Sequence, residues 1–221
     1  MPSYLDVIYK EGKTPITDYP SKLCSYLFNR FGMKKGDKLL DVGCGRGDFL
    51  KSFKDLGLNV YGIDIEKSKS EIARNVEIYN CNFELNSFPF EDNFFDIIFS
   101  KSVIEHLKTP DSFIKEIYRV LKPGGTAIVM TPDWQSQMKI FYNDYTHVHP
   151  YTETGIKDLL EISGFKNASA EIFYQLPVLW KFSWLKIFSK SLQIFGPVKK
   201  TNKNKFIRWS RELMILGQGK K

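Results

Sequence analysis

The sequence predicts a doubly wound α/β fold built on a mainly parallel sheet. Two observations carry this. Strand-like apolar runs alternate with amphipathic helical stretches from residue 38 to about residue 164, the pattern of a parallel sheet covered by helices. The run Phe94 to Ser100 (FFDIIFS) is apolar almost throughout, as a strand buried on both faces must be. In such sheets ligands sit outside the carboxyl ends of the strands, near the point where strand order reverses, so every strand-end loop is a candidate site.

The elements follow in order. Asp18 to Phe31 places Leu23, Tyr26, Leu27 and Phe31 on one helical face, and Gly32 and Gly36 punctuate its end. Lys38 to Val42 is a short apolar strand. A glycine turn and a helix from about Asp48 to Leu56 follow, stopped by Gly57. Asn59 to Ile65 is a second strand, Val76 to Asn80 a weak third, and Phe94 to Ser100 the fourth. Pro110 to Leu121 is a helix with Ile114, Ile117, Val120 and Leu121 at helical spacing; Lys122-Pro-Gly-Gly ends it, and Thr126 to Thr131 is the fifth strand. Thr152 caps a helix that reaches Ser163 and stops at Gly164. Ala168 to Tyr174 is a sixth strand and Glu212 to Gly217 a seventh.

A chain of 221 residues suits one domain. It divides into an N-terminal helical cap (1–36), a core that carries the ligand turn (37–175), an insertion (176–211) and the last strand (212–221). Cys24, Cys44 and Cys81 form no C-x-x-C pair, which argues against a disulfide framework or structural zinc and suits a reducing cytoplasm. Met1 to Lys13 lacks the apolar stretch of a secretory signal, and no run of about 18 apolar residues exists to span a bilayer. Charge is uneven. Leu176 to Lys221 holds eleven Lys/Arg and one acid, Glu212, so this segment carries about +10 and the first 175 residues about −3. Such asymmetry points to an anionic partner, a membrane surface or a nucleic acid, or else to a solvated basic tail.

The strongest motif is LLDVGCGRGDFL, residues 39–50. A strand runs into Gly43-x-Gly45-x-Gly47 and then into a helix; the glycines let the backbone turn sharply and let a ligand approach without a Cβ in the way. The third glycine comes one residue earlier than in the dinucleotide fingerprint, and Asp41 stands just before the loop. A carboxylate there repels phosphate and suits a cationic group such as an α-amine. Asp64 ends the next strand, where an acid accepts ribose hydroxyls.

Together with VYGIDI (60–65), FPFEDNFFDIIFSKSVIEHL (88–107) and VLKPGG (120–125), this motif resembles the class I S-adenosylmethionine-dependent methyltransferases over residues 38 to about 165. The resemblance implies a Rossmann-like, seven-stranded sheet with the last strand antiparallel. It implies S-adenosylmethionine as cofactor and S-adenosylhomocysteine as product. Gly43, Cys44, Gly45 and Gly47 would line the methionine end, with Asp41 near the amino group, Asp64 on the ribose and Ile65 against the adenine; Ser100 would close the site from the fourth strand. The family's usual adenine-binding Asp is absent from Asn80-Cys-Asn-Phe-Glu84, so Asn82 or Glu84 must serve, beside Phe83.

The three histidines, His106, His147 and His149, all fall in loops after the fourth and fifth strands. Methyl transfer from a sulfonium needs a deprotonated nucleophile, and histidine is poised for that proton near neutral pH. The candidate base is His106, or His147 from the facing loop, with Glu105 orienting or ligating. Some relatives hold a divalent cation with Glu-x-x-Glu-His; here the first glutamate position is Ser102, which removes one carboxylate and argues against a metal, although Glu105, His106, His147 and His149 could still form a cluster of nitrogen and oxygen ligands. The loop Asp144 to Glu153 (DYTHVHPYTE) is similar to a D-x-T-H-V-x-P-[FY]-T pattern of bacterial methyltransferases encoded among sugar and cell-surface polysaccharide enzymes. Trp134, Phe141, Tyr142, Tyr145 and Tyr151 surround it, either to stack on an acceptor or to pack the loop.

Trp180 to Phe195 is amphipathic, with Trp180, Trp184, Ile187, Phe188, Leu192 and Phe195 on one side and Lys186 and Lys190 on the other. Pro197 stops it, and a basic stretch, Lys199 to Arg211, follows. Aromatic residues against lysines mark a helix lying in a membrane interface; the alternatives are a face that completes the domain's own core or a dimer contact. The sequence reading is therefore an O-methyltransferase for a sugar, glycan or other small hydroxylated acceptor that is lipid-linked or membrane-proximal. It would be cytoplasmic and peripheral at the inner membrane face through 178–211. A nucleic-acid methyltransferase and a non-catalytic cofactor-binding protein are the alternatives.

Overall fold

The computed structural model describes residues 15–66, 76–195 and 210–221. Its elements are α1 (Tyr19–Arg30), β1 (Lys38–Val42), α2 (Asp48–Asp55), β2 (Asn59–Asp64), β3 (Glu77–Asn80), β4 (Phe95–Lys101), α3 (Pro110–Val120), β5 (Leu121–Pro132), α4 (Trp134–Gln137), α5 (Glu153–Ile162), β6 (Lys166–Phe173), α6 (Pro177–Lys181), α7 (Lys186–Phe195) and β7 (Met214–Lys220). Seven strands run in the order β3-β2-β1-β4-β5-β7-β6. β1 pairs in parallel with β2 and β4, and β2 with β3, whereas β6 and β7 are antiparallel. The chain winds outward from β1 to β3 and then returns to β4, which places the switch in strand order between β1 and β4.

The chain divides into two compact units. One holds residues 1–100, 115–127 and Lys221; the other holds 101–114 and 128–220. In the first, Leu39, Leu40 and Val42 of β1 and Ile97, Ile98 and Phe99 of β4 are buried. Phe53 from α2 packs edge-on to Phe99 at 5.4 Å, and Tyr61, Phe90, Phe94 and Phe95 form an aromatic lattice with centroids 4.8–6.2 Å apart. In the second, α5 begins where the Thr152 hydroxyl accepts the Gly155 N–H at 3.2 Å, a cap worth about 1 kcal/mol. Its Ile156 lies so close to Gly217 of β7 that no Cβ fits there.

Three expectations need correction. β5 begins at Leu121, not Thr126. Lys122-Pro-Gly-Gly looks like a helix stop, but Gly124 N–H donates to Lys221 O at 2.8 Å and Lys221 N–H to Gly125 O at 3.2 Å, so the end of the chain draws this stretch into extended pairing. β7 runs on to Lys220, beyond the predicted Gly217, because Lys220 still pairs with Lys166 of β6. The predicted single helix over Trp180 to Phe195 is broken. α6 ends at Lys181, Phe182 takes a non-helical backbone (φ −123°, ψ 80°), a 3-10 turn covers Ser183–Leu185, and α7 starts at Lys186. Trp180 fixes the break by donating its indole N–H to Tyr174 O at 2.6 Å while its ring lies 5.5 Å from Phe173. The side chains of Leu192 and Phe195, Pro197, and the stretch from Lys199 to Trp209 lie outside the described residues.

Candidate active site

The first candidate cluster is built where β1 and β4 deliver their carboxyl ends. Val42 pairs with Ser100, and the Ser100 hydroxyl donates to Val42 O at 3.0 Å. Beyond Val42 the backbone turns through Gly43, Gly45 and Gly47, whose φ values of +77°, +52° and +88° belong to the left-handed region. A side chain at these positions would be strained. Gly43 and Cys44 N–H both donate to Ile63 O, at 2.8 and 3.2 Å, which ties the turn to β2. Gly47 is the N-cap of α2, and Arg46 pairs with Asp48 at 2.7 Å beside it.

Two buried carboxylates flank this turn, Asp41 below it and Asp64 at the end of β2. Asp64 accepts the Gly45 N–H at 2.8 Å and the Glu66 N–H at 3.2 Å. Burial raises its pKa, and these N–H groups hold the rise back. Cys44 is buried and its thiol is pushed well up, first by burial and then by Asp41 and Asp64, so it stays a neutral wall. Gly62 lies behind that wall. A Cβ there would stand 2.6 Å from Leu50 Cδ1 and 2.9 Å from Cys44 Sγ, so the close approach of β2 to the turn requires glycine. Ile65 is exposed. Asn82 turns the chain after β3, its side-chain oxygen accepting the Glu84 N–H at 3.1 Å, and Phe83 packs edge-on to Phe88 at 6.0 Å. Glu84, the other adenine candidate, is exposed.

The second cluster gathers Glu105, His106 and His147, each offering one oxygen or nitrogen within 4.8 Å of the others. The rings of His106 and His147 meet edge-on at 4.7 Å. Glu105 is fully buried on the 3-10 turn after β4. Thr131 of β5 donates its hydroxyl to Glu105 Oε2 at 3.0 Å, while Oε1 is buried without a hydrogen-bond partner among the described residues. Burial lifts the Glu105 carboxyl to about 7, against the pull of Thr131 and Lys101. Leaving a buried polar atom unpaired costs on the order of 1–3 kcal/mol, a strain that folds retain chiefly at functional sites.

The hydrogen bonds also assign the histidine tautomers. Thr146 Oγ1 donates its one proton to Asp144 Oδ1 at 2.6 Å, so it accepts from His106 Nδ1 at 2.8 Å. His147 Nδ1 lies 2.8 Å from Phe141 O, and His149 Nδ1 lies 2.8 Å from Leu107 O; a carbonyl only accepts, so both carry the proton on Nδ1. In the neutral rings the lone pair is on Nε2 in all three. Burial lowers the pKa of His106 and of His147, and each is neutral near pH 7. Burial raises Asp144, but the Thr146 hydroxyl and N–H outweigh it, with help from both histidines, and the carboxyl stays low. The aromatic residues divide. Phe141 is buried against His147 (4.5 Å) and Trp134 (5.5 Å), whereas Tyr142 and Tyr145 are exposed.

A family profile described as methyltransferase domain matches residues 17–170. The chain belongs to this methyltransferase family. The methyltransferase is 34% identical over 177 residues to an uncharacterized protein of Methanocaldococcus jannaschii, a match covering 80% of this chain and 76% of the other. It is 30% identical over 176 residues to a demethylmenaquinone methyltransferase of Lactobacillus johnsonii, covering 63% of this chain and 72% of that one. Its fold matches the crystal structure of a SAM-dependent methyltransferase from Archaeoglobus fulgidus with a TM-score of 0.69 at 20% identity, over 99% of this chain and 100% of the other. The protein is thus a methyltransferase by family, with the fold of a SAM-dependent methyltransferase.

Sequence reasoning placed Glu105, His106 and His147 together but missed the groups that orient them. The chain Asp144–Thr146–His106 was legible in part. In D-x-T-H the threonine N–H and hydroxyl both reach back to Asp144 Oδ1, the geometry of a local aspartate turn. Thr131 carried no signal, because β5 supplies it from 26 residues away.

Proposed function

We propose that this methyltransferase transfers the methyl group of S-adenosylmethionine to a hydroxyl of a small sugar or glycan-type acceptor. The observation that carries the reading is the pair of half-buried, neutral histidines whose Nδ1–H groups are engaged by Thr146 Oγ1 and Phe141 O, which puts the lone pair on Nε2 in each. S-adenosylmethionine supplies the electrophilic methyl carbon. Three positive-φ glycines would let its methionine end approach the backbone, the buried Asp41 would face the α-amine, and the buried Asp64 would hold the ribose. Ile65, Asn82 and Phe83 serve the adenine side.

His106 Nε2 accepts the acceptor's hydroxyl proton as the oxygen forms its bond to the methyl carbon and the carbon–sulfur bond breaks. The products are the methyl ether, S-adenosylhomocysteine and a proton held on His106. The Asp144–Thr146 pair fixes the ring and receives the positive charge through Nδ1–H, as an orienting carboxylate does for other histidine bases. Glu105, His106 and His147 are also an oxygen–nitrogen–nitrogen set of the kind that holds a divalent cation, but the base mechanism needs none.

The test is methyl labelling. The full chain is incubated with methyl-labelled S-adenosylmethionine and separate carbohydrate, lipid and RNA fractions, with and without EDTA. The expected result is alkali-stable label in carbohydrate, unchanged by EDTA. Thr146→Val, which loses the contact to Nδ1, should lower kcat by about tenfold to a hundredfold and leave the calorimetric affinity for S-adenosylhomocysteine intact. Label confined to RNA or lipid, or loss of labelling in EDTA, overturns the reading.

A further inference from the structure

The segment after β6 has an inner face and an outer face. Inside, Leu179 is fully buried with Tyr174, Leu176 and Leu213, and Leu185 packs against the same cluster. Ser189 of α7 is buried as well, and the Trp180 indole is tied to Tyr174 O. The segment is therefore a fixed platform on its own unit. Its outer face carries large apolar side chains that its own unit leaves uncovered: Trp184 is 61% exposed, Ile187 69% and Phe188 57%. Val178 and Phe182 are exposed too, and the Trp184 and Phe188 rings touch at 6.1 Å. Lys181, Lys186 and Lys190 of the same segment are exposed, the Lys186 ammonium lying 5.6 Å from the centre of the Tyr174 ring. From Leu176 to Arg211 the sequence holds nine Lys/Arg and no Asp or Glu.

We infer that this outer face docks the enzyme on an anionic lipid bilayer. Among the described residues no helix is long and apolar enough to cross a membrane, so the face lies on the bilayer and does not span it. Single exposed apolar residues are ordinary, but a contiguous aromatic and aliphatic patch on a fixed platform is not. Trp and Phe sit at the headgroup level, and long lysine side chains of the same segment reach the lipid phosphates. A nucleic acid would account for the lysines and for stacked rings but not for Ile187 or Val178, which offer no hydrogen bond and no π face. The break at Phe182 serves the same end: it keeps Trp180 inside and turns Trp184, Ile187 and Phe188 outward.

The experiment is vesicle sedimentation with the full chain. Vesicles of phosphatidylcholine with phosphatidylglycerol are compared with phosphatidylcholine alone, and wild type with two variants. Trp184→Ser/Phe188→Ser removes the apolar anchor; Lys181→Gln/Lys186→Gln/Lys190→Gln removes charge. All of these side chains are exposed, so both variants should keep the wild-type thermal midpoint and the wild-type affinity for S-adenosylhomocysteine. Wild type should partition to the anionic vesicles. The aromatic variant should lose at least tenfold on both kinds of vesicle. The lysine variant should lose about fivefold per lysine on anionic vesicles only, the change expected when each contributes about one unit of surface attraction. Three outcomes overturn the inference: no sedimentation of wild type, equal sedimentation of wild type and the aromatic variant, or loss in that variant of a concentration-dependent dimer or of RNA binding in place of lipid binding. Because cofactor affinity is read separately, failure here leaves the methyl-transfer reading standing.

Discussion

Replacing Glu105 by glutamine should change how stability depends on pH. The carboxyl is fully buried and its pKa is raised to about 7, with 4.5 as its ordinary value. A group whose folded pKa is raised stabilises the fold below its unfolded pKa, and that contribution is lost as pH rises through the folded one. Between pH 4.5 and about 7 the folded chain therefore holds a proton that the unfolded chain releases, and unfolding becomes easier throughout this window. At 1.36 kcal/mol per pH unit the loss is about 3 kcal/mol once the pH is above the folded value. Lys101 and Asp144 also act on the carboxyl, in opposite directions, and His106 and His147 lie beside it. Glu105→Gln keeps those neighbours and removes only the titrating proton. Its buried amide shifts the whole curve by a constant, so the slope is the readout. Thermal midpoints of both proteins are measured from pH 5 to pH 9. The wild-type midpoint should fall relative to the variant's by about 6–12 °C between pH 5 and pH 8 for a chain of this length. Parallel curves across that interval would refute the assignment of Glu105 as a buried acid that is neutral below pH 7.

Two further outcomes follow from the geometry. Gly62→Ala pushes a methyl group into Leu50 and Cys44; it should destabilise the fold by about 1–3 kcal/mol and weaken cofactor affinity in calorimetry, and unchanged values of both would show that β2 and the turn are not held in register by this contact. Because burial lowers both His106 and His147 from 6.5, kcat/KM should hold its plateau down to pH 6.5 and fall only below it, and an acid limb centred above 6.5 would exclude both histidines as the base.

The sequence made the first half of the fold legible because its signals there are local. Strand, glycine turn, helix and strand follow one another between Lys38 and Asp64, and each boundary is set by residues within a few positions of it. The same holds for Thr152 and α5. Later signals are overruled by distant partners. Lys122-Pro-Gly-Gly and Gly217-Gln-Gly-Lys both resemble turns, yet each is held extended, the first by the chain's last residue and the second by β6. The helical wheel over 180–195 assumes continuous backbone, and a single indole hydrogen bond to Tyr174 defeats it. At the candidate site the residue types were readable, because Asp, Glu and His carry the chemistry wherever they stand. Their protonation was not, because burial decides it and burial belongs to the whole fold.

That burial acts on the two kinds of group in opposite directions and toward one end. It raises Glu105 and lowers His106 and His147, so all three approach neutrality near pH 7. Asp144 escapes this, since two bonds from Thr146 hold its carboxylate ionised. The cluster thus holds one settled anion, one acid poised near neutrality and two uncharged bases. Asp144, and not Glu105, is then the standing counter-charge for a proton arriving on His106, delivered through the Thr146 hydroxyl. Glu105, poised near neutrality, adds no settled second negative charge to the cluster. On the proposed mechanism, a site arranged this way takes up one proton with its counter-charge already in place.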